Sequence, residues 1–327
     1  MGTIYSERWI CIGLDQKVKC KVKGMNGKLL MELAWSKSIE VYHPDIAHIL
    51  RMSANPVLVA SDFGFIEGLL WHKGGYLLFS DLVRNKIYKH SKQQGTEVFL
   101  HESGLDGLPT ALHSNHVGSN GIAYDLQGNF VFCQHGNHAV ARLNKEGIIE
   151  KLVDSFQGRR LNSPNDLIVA PDGSIYFTDP PYGLSPQKLN PDVAQPIAGI
   201  YRWFNDALEL VSSDFSYPNG ICFSPDCQYV YVSSAFTEEK MIMRYELKDG
   251  KFENGKIFIS ENADGIKTDK RGNIFLATEM GVRIFSSEGV KLGMIKMPAV
   301  VNNICIEGNT IYIGTPHKLF RFALRSK

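Results

Sequence analysis

Short runs rich in Val, Ile, Tyr and Phe alternate with polar turns along most of the chain, and one phrase returns six times. A polar residue plus Gly or Asp leads into a β-rich run; a turn with Asp or Gly follows, then a second run and a third. The copies open at Glu67-Gly68, Asn120-Gly121, Asn165-Asp166, Asn219-Gly220, Asp264-Gly265 and Asn302-Asn303. Their spacing of roughly 40–55 residues is in the range of propeller blades. Turns such as Pro171-Asp172-Gly173 and Lys145-Glu146-Gly147 separate the runs. No long stretch repeats with a period of 3.6, so few helices are expected. Six copies predict an all-β, six-bladed β-propeller, in which each blade buries its faces against its neighbours.

The sixth copy holds only three runs before the chain stops, at 302–306, 310–314 and 318–323. A frayed last blade would leave an open edge. The run Val57-Leu58-Val59-Ala60, just ahead of the first copy, is the natural fourth strand, closing the ring with an N-terminal segment. Residues 1–40 lie outside the repeat. Lys17-Val18-Lys19-Cys20-Lys21-Val22-Lys23 alternates strictly and Asn26-Gly27 is a hairpin turn pair, so an extra hairpin is expected there, with the propeller spanning 41–327.

Composition narrows the function classes. A formal net charge of +1 without any Lys/Arg-rich run gives no pull toward nucleic acid. No apolar run is long enough to cross a membrane, and no basic-then-apolar leader is visible, so a cytoplasmic protein is expected. Met1-Gly2-Thr3-Ile4-Tyr5-Ser6 does match the M-G-x-x-x-S myristoylation pattern, which is short and common by chance. The six Cys include no CxxC pair, which speaks against a zinc ribbon and for reduced, mostly buried thiols.

The chemistry sits at the starts of the copies. In a propeller the first strand of each blade lines the central channel. Its opening residues here are Glu67, Asn120, Asn165, Asn219, Asp264 and Asn302 or Asn303, all acidic or amide. The symmetry of the fold would aim them at one point. Asn-Gly and Asp-Gly pairs are also turn formers, so any single copy has a second reading; Glu67-Gly68 is a poor turn pair and stands in the same register. Carboxylate and amide oxygens are hard ligands. Two carboxylates would neutralise a divalent cation, and calcium accepts the large, irregular shell such a ring gives. Calcium is therefore expected first, with magnesium, manganese or zinc as the alternatives. Asn120 is read as a substrate contact.

At these residues the chain resembles the gluconolactonase family that includes senescence marker protein (regucalcin) and drug-responsive lactonase. The clearest stretch runs Arg160-Leu161-Asn162-Ser163-Pro164-Asn165-Asp166-Leu167 and then Asp172-Gly173-Ser174-Ile175-Tyr176-Phe177-Thr178-Asp179-Pro180-Pro181-Tyr182-Gly183-Leu184. Cys133-Gln134-His135-Gly136-Asn137 and Phe215-Ser216-Tyr217-Pro218-Asn219-Gly220 add to it, and the likeness spans roughly residues 40–324. It implies a cation held by Glu67, Asn165, Asn219 and Asp264, and hydrolysis of lactones or, in some related propellers, organophosphates. The chain departs from the family at Leu69 and Ala263, where Pro is common, and at Ser233-Ser234, where an Asp is frequent near the site.

Lactone hydrolysis needs an electrophile for the carbonyl and a base for water. Asp264 is the first candidate base, and His135, on a loop expected to reach the same mouth, the second. Tyr182 and Asn162 are expected to contact substrate. No G-x-S-x-G elbow is present, so a Ser-His-Asp mechanism has no support. The competing readings are a repurposed propeller with a metal-assisted, non-hydrolytic reaction, motivated by Ser233 and the N-terminal extension, and a non-catalytic binding propeller. A small-molecule partner is expected.

Overall fold

The computed structural model describes residues 9–14, 17–23, 29–107, 109, 114–184, 194–235 and 238–326. Each copy of the repeat folds into an antiparallel sheet whose strands follow chain order from the axis outward. Blade one comprises Ile66–His72, Tyr76–Asp81, Lys86–Ser91 and Gly95–His101, and blade two Ser119–Tyr124, Phe130–Gln134, Ala139–Leu143 and Ile149–Val153. Blade three is Leu167–Val169, Ile175–Asp179, Gly199–Phe204 and Ala207–Ser212; blade four is Pro218–Phe223, Tyr229–Ser234, Ile242–Lys248 and Lys251–Ile259. Blade five is Ile266–Thr268, Ile274–Thr278, Gly281–Phe285 and Lys291–Lys296. Blade six supplies Asn303–Glu307, Thr310–Gly314 and Lys318–Ala323, and its outer strand is Val57–Ser61, paired Leu319 to Ala60 and Arg321 to Val57. The ring is thus closed as the sequence predicts.

Two details were not expected. Ile39–Val41 adds a fifth strand to the rim of blade five, pairing Ile295 with Ile39 and Gly293 with Val41, so the chain joins the propeller before residue 41. The N-terminal extension is a three-stranded sheet, Trp9–Leu14, Lys17–Lys23 and Leu29–Ser36, rather than a single hairpin. The Asn26-Gly27 turn and the Met1–Ser6 pattern lie outside the described residues. Pro44–His48 and Pro181–Gly183, two turns of 3-10 helix, are the helical pieces among the described residues.

Burial follows from strand position. Second strands lie between two neighbouring blades and are buried throughout, as in Phe130–Gln134 and Ile175–Asp179, apolar at their starts and polar at their last one or two residues. Outer strands face solvent on one side, and Gly95–His101 alternates accordingly. The core is therefore divided among the blade interfaces. Val131, Val140, Leu167, Ile175, Phe177 and Tyr201 join blades two and three, and Ile221, Val230 and Tyr245 pack with Tyr176 and Ile200 across blades three and four. Replacing a fully buried ring such as Phe177 by Ala would cost about 3–5 kcal/mol. Cys133, Cys222 and Cys305 are buried free thiols, and Cys227 is a partly exposed one. No helix among the described residues is long and apolar enough to cross a membrane.

Candidate active site at the blade entrances

The six openings of the repeat are held together by main-chain bonds that run around the axis. Asn165 N–H donates to Thr178 O (2.8 Å), Asp264 N–H to Ala277 O (2.9 Å) and Asn302 N–H to Gly314 O (2.9 Å), which marks these three as equivalent positions. The residue after an opening reaches the following blade: Gly121 N–H donates to Asn165 O (2.7 Å), Gly220 N–H to Asp264 O (3.0 Å) and Gly265 N–H to Asn302 O (2.8 Å). The approach is so close that a Cβ at Gly220 would stand 2.4 Å from Asp264 O, and one at Gly68 2.0 Å from Asn120 O. The recurring Gly is therefore a spacing requirement between inner strands as well as a turn device. A second set of links comes from hydroxyls one strand further out. Ser80 Oγ donates to Asn120 O (2.8 Å), Thr178 Oγ1 to Asn219 O (2.8 Å) and Ser233 Oγ to Asp264 O (2.9 Å). Ser233 thus has a structural task, and it lines no part of the cavity described next.

Glu67, Asn120, Asn165, Asn219 and Asp264 converge on one cavity of about 180 Å³, together with His135, Tyr182, Phe65, Leu82 and His116. All five polar residues are buried, the most open being Asp264 at 7 %. Glu67 Oε2 accepts from Asn303 Nδ2 (2.9 Å) and from Gly68 N–H (3.2 Å). Asn302 instead donates Nδ2 to Ile66 O (3.1 Å), so of the two candidates it is Asn303 that touches a carboxylate of the cavity. Burial is the main force raising the Glu67 and Asp264 pKa values; the charge of Glu67 then raises that of Asp264 further. Two carboxylates facing one another in a dry cavity cannot both hold their charge without a counter-ion.

Asn120 Nδ2 donates to His135 Nε2 (3.2 Å), while Asn120 Oδ1 is buried without a hydrogen-bond partner. Burial drives the His135 pKa down to about 3, so the ring is neutral near pH 7 and is a weak proton acceptor there. Tyr182 lies over the cavity with its hydroxyl 3.4 Å from Ala235 O, and its ring stacks on Tyr217 at 5.7 Å.

Asn162 is the exception. Its amide donates to Asp179 O (3.2 Å) and Ile197 O (2.9 Å), and it lines a separate groove with Pro181, Leu184 and Tyr217. Asn162, expected to contact substrate, does not line this cavity; its amide holds the Arg160–Ser163 loop. Asp179 does the same from the other side, its carboxylate accepting from Asn162 N–H and Ser163 N–H at 2.8 Å each. Phe65, Leu82 and His116 were not anticipated, because they come from connections that carry no repeat signal, Phe65 and His116 between blades and Leu82 between two strands of blade one.

The donor set suits a hard divalent cation. Two buried carboxylates, neither in an ion pair among the described residues, share the cavity with an orphaned amide oxygen, and every candidate ligand atom is oxygen. Among the described residues no cluster of three or more His, Cys, Asp and Glu side chains could hold a metal, which sets this mixed carboxylate–amide arrangement apart from zinc-type centres.

The model of the family described as SMP-30/Gluconolactonase/LRE-like region matches residues 65–317, which hold the four chain-order strands of blades one to five and the first two strands of blade six. The chain belongs to this family. As a member, it is 30% identical over 302 residues to a gluconolactonase of Zymomonas mobilis, with 86% of this chain and 85% of that one covered. It is 27% identical over 191 residues to a lactonohydrolase of Aspergillus oryzae, covering 50% and 43% of the two chains. A solved gluconolactonase structure from Xanthomonas campestris superposes with a TM-score of 0.76 at 29% identity, covering 88% of this family member and 94% of that chain.

Proposed function

We propose that this propeller is a lactonase that opens a small lactone, a sugar lactone first, at a divalent cation held by Glu67, Asn165, Asn219 and Asp264. The observation that carries the reading is the convergence of these four side chains on one buried cavity with Asn120 and Tyr182. The gluconolactonase relatives, similar along nearly the whole chain, support the substrate class. Calcium is favoured over magnesium because the donors are amides and carboxylates from separate blades, a set that fits an irregular shell better than a tight octahedron.

When bound, the cation would polarise the lactone carbonyl and acidify water. The remaining roles fall to the chain. Asn120, oriented by His135, presents Oδ1 to the substrate, and Tyr182 covers the ring. The Asp264 carboxylate takes a proton from the water as its oxygen bonds to the carbonyl carbon; the ring C–O bond then breaks and Asp264 returns the proton to the leaving ring oxygen, giving the hydroxy acid and the free carboxylate. His135, held neutral by burial, acts in this scheme as a positioning group for Asn120. Asn303 fixes Glu67 through Oε2, which leaves Oε1 for the cation.

The test is acid release from a panel of aldono- and aryl-lactones by the purified protein, with calcium or with EDTA. Turnover that EDTA abolishes and calcium restores, and that Asp264→Asn and Glu67→Gln lose by at least about 10²-fold, is the expected result. Turnover unaffected by EDTA, or a bound cation without turnover on any lactone, would overturn the proposal.

A further inference from the structure

Four of the six blade entrances place Gly directly after the polar residue: Gly68, Gly121, Gly220 and Gly265. The other two place Asp166 and Asn303, both buried. Asn303 binds Glu67, as described. Asp166, buried to 4 % exposure, is fixed by main chain on both oxygens: Oδ1 accepts from Leu167 N–H (2.9 Å) and Oδ2 from Ile221 N–H (3.3 Å). Its charge partner is Lys267, from the inner strand of blade five, with Nζ 3.6 Å from Oδ2. The Lys267 side chain is 26% exposed. The ionisable side chains of the axis are then Glu67, Asp166 and Asp264 against Lys267: three negative charges and one positive, a net of −2.

We infer that Lys267 sets the charge selectivity of the cation site: by offsetting Asp166 it leaves a net charge of −2, matched to one divalent ion. The inference rests on the cation-binding reading above. Asp166 is not itself assigned as a ligand; its main-chain bonds hold it in place whether or not an ion is bound. In a low-dielectric channel its charge is felt by any cation above it, and so is that of Lys267. A trivalent ion is attracted in proportion to its larger charge, so removing one positive charge should favour it over a divalent ion of similar size.

The experiment is a four-corner cycle with the full-length protein: wild type, Lys267→Met, Asp166→Asn and the double variant, carrying net axial charges of −2, −3, −1 and −2. Calcium and terbium(III) affinities are measured by calorimetry, and the fold is checked by thermal melting. Affinity should follow charge. Lys267→Met should tighten calcium by about ten-fold and raise the terbium-to-calcium affinity ratio by about ten-fold more. Asp166→Asn should weaken calcium by about ten-fold, and the double variant should return to within about three-fold of wild type. If Lys267 and Asp166 serve only to hold the channel together, each single variant will weaken calcium and the double variant will stay weak, which overturns the inference. Should Lys267→Met not fold, Asp166→Asn and the double variant decide the matter by the same ordering. A wild-type protein that binds neither ion would instead sink the cation-binding reading itself, and so the two failures are distinguishable.

Discussion

Gly220→Ala tests whether the spacing of the inner strands sets the geometry of the site. The added methyl would lie 2.4 Å from Asp264 O, 2.8 Å from Ile266 N and 3.0 Å from Gly265 Cα, all of them backbone atoms that no rotamer change can move. Ordinary contact begins at 3.4 Å, so blades four and five must part by about 3.4 − 2.4 = 1.0 Å at this point. That separation stretches the Gly220 N–H to Asp264 O bond, 3.0 Å in the native ring, and draws Asn219 away from Asp264. Overpacking of this kind costs about 1–3 kcal/mol, which for a chain of this size lowers Tm by about 1–4 °C. The functional loss should be larger, because a displacement of about 1 Å in a positioned group costs on the order of 10²-fold in rate. The assay is calcium affinity and lactone kcat/KM beside Tm, with Gly128→Ala as the control. Gly128 has φ +80 and nothing within 4 Å of a built Cβ, so its substitution carries backbone strain of about 1 kcal/mol and no displacement. A Gly220→Ala protein with native calcium affinity and native turnover would refute the claim that close strand approach is what assembles the ligands.

Three further predictions concern other parts of the site and fold. The fold holds His135 neutral, with a pKa of about 3 against an ordinary 6.5, so its contribution to stability is complete above about pH 6.5 and is lost as pH falls toward 3. Between pH 7 and pH 5 the wild type should lose about 2 kcal/mol relative to His135→Gln in urea unfolding, the raised carboxylates contributing equally to both proteins, and parallel pH slopes for the two would contradict it. Tyr182→Phe should leave calcium affinity within about two-fold and raise lactone KM several-fold, since the ring covers the cavity without belonging to the cation set; a lost cation in calorimetry would count against this division of roles. Deleting residues 1–36 should leave the Tm of the propeller within a few degrees, whereas deleting residues 1–61 removes the outer strand of blade six and should yield aggregated protein, as judged by light scattering.

Much of the architecture is written locally. Period-two alternation, turn residues and a phrase repeated six times specify the strands, the blade count and the need for a closing strand, and Val57–Ser61 fills that place. The polar openings are also legible, because the symmetry of a repeat carries equivalent positions to equivalent places, and five of them meet in one cavity. What the repeat leaves open depends on residues that face one another across blades. Asn303 rather than Asn302 reaches Glu67 because only its side chain turns inward from the strand. Asn162 is withdrawn from the cavity by Asp179 O and Ile197 O, 17 and 35 residues away in sequence. Ser233, where relatives often carry Asp, links two blades, since its partner, Asp264 O, belongs to the next blade. The pairing of Asp166 with Lys267 joins inner strands of blades three and five that are 101 residues apart, a proximity that only closure of the ring creates. Periodicity specifies which face of a strand is buried; it does not say which side chain of a distant strand will stand opposite, and at the axis of a propeller that choice fixes both charge and reach.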